Sequence, residues 1–371
     1  MSVIDDLFLQ LIRVGIGAET VWRVPANTNW ELVKALADNQ GLLAIVVDGV
    51  EQLPDGQRPP KEILLQWIGE VFQGYEYRYV QYISAILELA RFYNSHEFKM
   101  MILKGYACGM EWPKPEHRPY GDIDIWQFGR QKEADALLES LKDQGVQKFK
   151  IDRSHHHHTV FYWEGFMVEN HYDFINTKDL QSSRSIEIIL KELGEDDRYY
   201  VELKDSLSNS LAKVYLPSPN LHALFLLRHL LLHFVSTSIN LRQVLDWGFF
   251  VKAHSSEIDW KRLLTILDEY NMQVFFNCIN AICIEELGFE SYIFPHVRFY
   301  PDIKDQILCD ILHPKYSEYE PNSFVPRLIY KYKRWKGNAW KQELCYKESR
   351  WCNFWMSLWA HFIKPSSILK Q

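Results

Sequence analysis

Met100–Trp126 reads MMILKGYACGMEWPKPEHRPYGDIDIW, and the rest of the chain is read outward from it. An apolar run, Met100 to Leu103, ends in Lys104-Gly105; a polar, Pro-rich connection follows, and a second run sets Asp122 and Asp124 between isoleucines. Successive residues of a strand point to opposite faces, so Asp122 and Asp124 share one face while Ile123 and Ile125 enter the core. Two carboxylates on one face repel each other unless a cation sits between them, and oxygen ligands of this kind suit a hard divalent metal. The alternative is a solvated edge strand with two harmless acids, and a lone D-x-D does not choose between the two.

Downstream of this stretch, Gln131 to Gln144 carries Ala134, Leu137, Leu138 and Leu141 at helical spacing, with Gly145 as its stop. Two strand-like runs follow, Ser154 to Trp163 and Phe166 to Phe174, joined by Glu164-Gly165, which suits a tight hairpin because Gly supplies positive φ. A two-residue loop sets Trp163 opposite Phe166, Val160 opposite Glu169 and His158 opposite His171. Glu169, His171, His156 and His158 then share one face, and Glu169 becomes a third strand carboxylate. The tetrad His155 to His158 lies far from either end of the sequence and lacks a zinc-type spacing, so it reads as polar lining of a substrate cleft.

Upstream, the first hundred residues read as helices. Thr28-Asn29-Trp30-Glu31 is a capping box with Thr28 as cap, Leu53 to Pro60 is a loop, and a long helix runs from about Lys61 to Asn94. The chain turns helical again from Pro217, over Leu221 to Phe234, Leu241 to Phe250, Trp260 to Tyr270 and Gln273 to Leu287. His229 and His233 lie four apart on one of these helices, as do Arg242 and Asp246 on the next. Satisfied core histidines and an Arg-Asp tie between helices are the structural reading of those four. From Tyr330 the chain mixes Lys and Arg with aromatics, and Trp351, Trp355, Trp359 and Phe362 fall along one side of a helix. Such a segment either packs on the helical domain or lies in a membrane interface.

The composition, 47% hydrophobic and 24% charged over 371 residues, is that of a soluble globular protein. No signal peptide is visible, because Asp5 and Asp6 interrupt its start, and the longest apolar runs fall short of a spanning helix. The six cysteines are scattered and lack C-x-x-C spacing, which suits reduced thiols in the cytoplasm. A net charge of −7 argues against a nucleic-acid polymer as partner. From Arg327 onward ten Lys or Arg face Glu343 and Glu348, so that stretch is about +8 and the remainder about −15. Attraction to anionic lipid, at the inner face of a membrane, is therefore local to the C-terminal segment.

Leu103-Lys104-Gly105, Arg118 with Gly121-Asp122-Ile123-Asp124, Val168-Glu169-Asn170-His171, and His229, His233, Arg242 and Asp246 together resemble a bacterial family of uncharacterised nucleotidyltransferases. Its wider superfamily is that of DNA polymerase β. The resemblance implies an α+β chain with a small mixed β-sheet core over 99–205, an N-terminal helical region over 1–98 and a C-terminal helical domain over 206–371. It implies transfer of a nucleoside monophosphate from an NTP to an acceptor, with release of pyrophosphate and dependence on Mg²⁺ or Mn²⁺. Asp122, Asp124 and Glu169 would hold the metals, since charge on both reacting oxygens needs about two cations and three carboxylates. Lys104, Gly105, Arg118 and Gly121 would bind the nucleotide phosphates, and His158, His171, His229, His233, Arg242 and Asp246 would orient acceptor or phosphate. The turn departs from the superfamily, which usually has Gly followed by Gly or Ser, and the gap from Gly105 to Asp122 is longer. The acceptor, whether small molecule, glycan intermediate or protein, is not written in these motifs. Two other functions compete: a glycosyltransferase whose D-x-D pair holds Mn²⁺ on a nucleotide sugar, and a nucleotide-binding protein without turnover.

Overall fold

The computed structural model describes residues 2–19, 23–143, 151–155, 157–177, 180–204, 211–295, 297–316, 321 and 323–348. His156, Gln144, Gly145, Cys352 and the Trp351 to Phe362 stripe lie outside the described residues. The chain is α+β and divides into two compact units built from interleaved segments. One unit takes Met1–Tyr79, Glu111–Pro119 and Leu227–Lys347; the other takes Val80–Met110 and Tyr120–Leu226 and begins again at Glu348.

In its described residues the first unit is helical. Its first helix, Val3–Gly15, opens on a capping box between Ser2 and Asp5, and buries Leu7, Phe8, Leu11 and Ile12. The cap expected at Thr28 falls one residue later. Thr28 Oγ1 donates to Pro25 O at 2.8 Å, so Asn29 accepts from Leu32 N and the helix runs Trp30–Gln40. The long helix expected from Lys61 is Lys61–Val71 and Tyr77–Ser95 with a π-helical turn, Phe72–Glu76, between them, and its residues from Val80 belong to the second unit. Later helices at Pro219–Ser236, Leu241–His254 and Trp260–Glu269 follow the apolar periodicity, and Asn240 with Gln243 forms a second capping box. The segment from Tyr330 contributes inward here: Trp340 meets Phe234 edge-on at 5.5 Å, and buried Lys341 pairs with Asp310. No helix among the described residues is long and apolar enough to cross a membrane.

The second unit holds a mixed sheet of six strands: β1 (Met101–Ile102), β2 (Ile123–Trp126), β3 (His158–Trp163), β4 (Phe166–His171), β5 (Tyr200–Lys204) and β6 (Leu211–Tyr215). Their spatial order is β3-β4-β2-β1-β6-β5, with β2 parallel to β4 and β1 parallel to β6. Ile123 and Ile125 are fully buried, each contributing about 1.5–3 kcal/mol by leaving water. The hairpin expected at Glu164-Gly165 is present: φ is +47° and +81°, and Trp163 pairs with Phe166, Val160 with Glu169 and His158 with His171. The helix Gln181–Leu193 and the β5–β6 hairpin were not anticipated. The alternation in Leu-Ala-Lys-Val-Tyr, buried at Ala212 and Val214, is the signal that would have found β6.

Candidate active site

The parallel pairing of β2 with β4 sets Asp124 and Glu169 as direct Cα partners. Paired residues of neighbouring strands share a face, so the hairpin register carries Glu169 to the side of the sheet where Asp124 lies. His171, two residues on, shares that face, and its Nε2 donates to Asp124 Oδ1 at 3.1 Å and lies 3.5 Å from Glu169 Oε2. The donor atoms of Asp124, Glu169 and His171 all lie within 4.8 Å of one another. Asp122 is not in that group, and its carboxyl acts on the cluster through charge. Lys104, at the end of the apolar run before the turn, places Nζ 2.9 Å from Asp124 Oδ1.

These charges set one another's protonation. Asp124 is almost wholly buried, which favours its neutral form, but Lys104 and His171 hold it far below the usual carboxylate range. Burial also opposes charge on His171, yet Asp124 and Glu169 raise it to about 9, so the imidazolium persists at neutral pH. Its Nδ1 donates to Asp173 O at 3.1 Å, and both ring nitrogens thus act as donors. Asp122 goes the other way, raised by the charge of Asp124 and then by burial. Burial lowers the Lys104 ammonium, and Asp124, Asp122 and Glu169 together raise it. Three acids against Lys104 and His171 leave the cluster with an excess of one negative charge. Its donor set, two carboxylates in ligating range and a third acid held up by repulsion, fits a divalent cation.

Gly105 has φ +55° and sits where any Cβ would come 2.2 Å from the Tyr82 hydroxyl. That hydroxyl donates to Asp122 O at 3.0 Å, so Tyr82 ties the turn to the strand that carries the acids. Tyr82 belongs to none of the motifs above, and only the contact distinguishes it. Gly121 has open space around its Cα and a φ outside the left-handed region.

The other expected site residues are divided between the two units. Arg118, Arg242 and Asp246 belong to the helical unit, where Arg118 clasps Asp246 through Nε and Nη2 at 2.8 and 2.9 Å. Trp112 Nε1 donates to Asp246 Oδ1 at 2.9 Å, and Arg242 Nη1 approaches Oδ2 at 3.5 Å. His229 and His233, also of that unit, bring Nε2 atoms within 3.2 Å of each other on one helix. His158 lies beside the acids, its Nδ1 3.7 Å from Glu169 Oε2.

No curated protein and no solved structure matches the chain. A family model described as uncharacterised nucleotidyltransferase matches residues 26–287, a span that includes Lys104, both aspartates of β2 and its approach, and Glu169. The chain belongs to this nucleotidyltransferase family.

Proposed function

We propose that the protein transfers a nucleoside monophosphate from an NTP to an acceptor hydroxyl, with pyrophosphate leaving, in a reaction that depends on Mg²⁺ or Mn²⁺. The observation that carries this reading is the pairing of Asp124 with Glu169 across β2 and β4 in a cluster with excess negative charge. Asp122, Asp124 and Glu169 would hold the cations. When bound, they would offset the charge that builds on the attacking and leaving oxygens. Glu169, kept ionised chiefly by the hydrogen bond from His171 against the pull of burial, is suited to accept the acceptor's proton. His171 fixes the orientation of both carboxylates. Lys104, already beside the acids, is the cation nearest to hand for a phosphate oxygen, with the Gly105 turn held beneath it by Tyr82.

The acceptor is read as a small molecule, a glycan intermediate or a protein, since the acidic surroundings disfavour a nucleic-acid polymer. A cytoplasmic setting, with peripheral lipid contact through the basic aromatic C-terminal segment, completes the proposal. One observation favours a second reading. Lys104 on Asp124 supplies from within the chain a cation that a metal would otherwise provide, as suits a nucleotide-binding protein without turnover.

Pyrophosphate release from each NTP with Mg²⁺ or Mn²⁺ tests the proposal, using extracts and defined acceptors, alongside free UDP from UDP-sugars. Metal-dependent pyrophosphate that vanishes in Asp122→Asn supports it. Turnover that survives that change, or UDP release in place of pyrophosphate, overturns it. A nucleotide that raises the melting temperature only with metal, and yet releases nothing, points to the second reading.

A further inference from the structure

Beside the carboxylates lies a second cluster, which shares only His171 with the proposed transfer. His157, His158 and His171 each offer a ring nitrogen within 4.8 Å of those of the other two. The His157 and His158 rings meet edge-on at 4.3 Å, and His158 and His171 lie 5.4 Å apart. His155 stacks on His158 at 4.6 Å, which adds a fourth imidazole to the neighbourhood. The backbone holds this arrangement: His157 O accepts from Tyr172 N at 2.7 Å and from Asp173 N at 3.1 Å, while His158 pairs with His171 in the hairpin.

The second observation concerns His158 alone. It is 6% exposed, and neither of its ring nitrogens has a hydrogen-bond partner among the described residues. A buried imidazole with both nitrogens unmatched costs free energy, roughly 1–3 kcal/mol for each polar group left unsatisfied. A bound ligand that accepts the lone pair removes that cost. Aliphatic burial does not explain the placement, because the ring looks toward two other imidazoles and a carboxylate.

We infer that His157, His158 and His171 form a binding site for a nitrogen-preferring divalent cation of the Zn²⁺ class, next to the carboxylate site and sharing His171 with it. Three imidazoles are a donor set that Zn²⁺ and Co²⁺ accept and Mg²⁺ declines. The donor atoms of His157, His158 and His171 already converge within 4.8 Å, and the two nitrogens of His158 have no hydrogen-bond partner among the described residues to give up. His171 also contacts Asp124 and Glu169, so a cation held through its ring bears directly on the acid cluster, and occupancy of this site is coupled to that cluster. This coupling rests on the functional reading above, whereas the site itself does not.

Metal-stripped full-length protein titrated with Co²⁺, followed by its visible absorption, and with Zn²⁺ by calorimetry, tests the inference. One Zn²⁺ per chain is expected, with a Co²⁺ spectrum of imidazole ligation. Affinity should fall at least tenfold in His157→Ala and in His158→Ala, and persist in Asp122→Asn. His157 is only half-buried, so its variant keeps the test open if His158→Ala fails to fold, and circular dichroism checks both. An unchanged spectrum and stoichiometry in His157→Ala, or loss of Co²⁺ binding in Asp122→Asn instead, overturns the site. Because the readout is metal binding, a null result in the pyrophosphate assay leaves this test unaffected.

Discussion

In the helical unit Asp246 is closed on every side: Arg118 clasps it with two donors and Trp112 adds a third. In the sheet unit Asp124 is as deeply buried, but its partners Lys104 and His171 also face Glu169 and Asp122, and one negative charge is left over. Sequence reading placed members of both clusters in one functional set. The difference teaches that burial of charge does not mark a site. A closed pair satisfies its own charge, whereas surplus charge and unmatched nitrogens favour a ligand.

The largest expected effect separates the two clusters by activity. Asp124→Asn should lower metal-dependent turnover roughly 10³-fold or more, since it removes a carboxylate from the cation's reach. Asp122→Asn should do likewise while leaving the melting temperature equal or higher, because it removes one of three mutually repelling charges. A matching loss of stability in Asp122→Asn would make the acids structural and erase the contrast.

The reverse is expected of the closed pair. Asp246→Ala strands the buried Arg118 guanidinium and should destabilise the fold by about 3–5 kcal/mol, read by urea denaturation. Replacing both partners with apolar residues should recover much of that loss. If Asp246→Ala instead unfolds normally and loses only activity, the pair belongs with the site.

A third test lies in the sheet unit, outside the acid cluster. Glu187 is buried, and burial raises it to about 7 although Phe174 N and Ile175 N donate to it. The folded state therefore holds this proton more tightly than the unfolded chain, and stability from it is full below about pH 4.5 and lost as pH rises through 7. The loss is on the order of 3 kcal/mol. Melting temperature should fall between pH 5 and 8 in the parent and fall less in Glu187→Gln; equal slopes would show that Glu187 is not the group responsible.

The smallest effect concerns the hairpin that delivers Glu169. Gly165 has φ +81° and nothing within 4 Å of an added Cβ, so Gly165→Ala should cost about 1 kcal/mol through backbone strain alone. Metal affinity should not change. A shift in metal affinity would show that the turn, and not the strand register, sets the position of the carboxylate.

The hairpin register could be read in advance because Glu164-Gly165 permits a two-residue turn and a period of two leaves no freedom in what faces what. From that step Glu169, His158 and His171 fell on one face. The strand that carries Asp124 was equally plain, as was the helical character of the flanks, but β2 begins at Ile123 and leaves Asp122 on its approach. The cap at Thr28 was misplaced because the competing bond from Thr28 Oγ1 to Pro25 O has no signature in the pattern.

Local sequence thus determined the elements, the alternation of faces and the residues able to carry charge, since these depend on neighbours within a few positions. Tertiary structure decided the parallel pairing that brings β4 beside β2, Lys104 to Asp124, Tyr82 beneath Gly105, and Asp246 to Arg118. Those choices join residues far apart in the chain, and they depend on which surfaces exclude water together, a quantity no short window of residues contains.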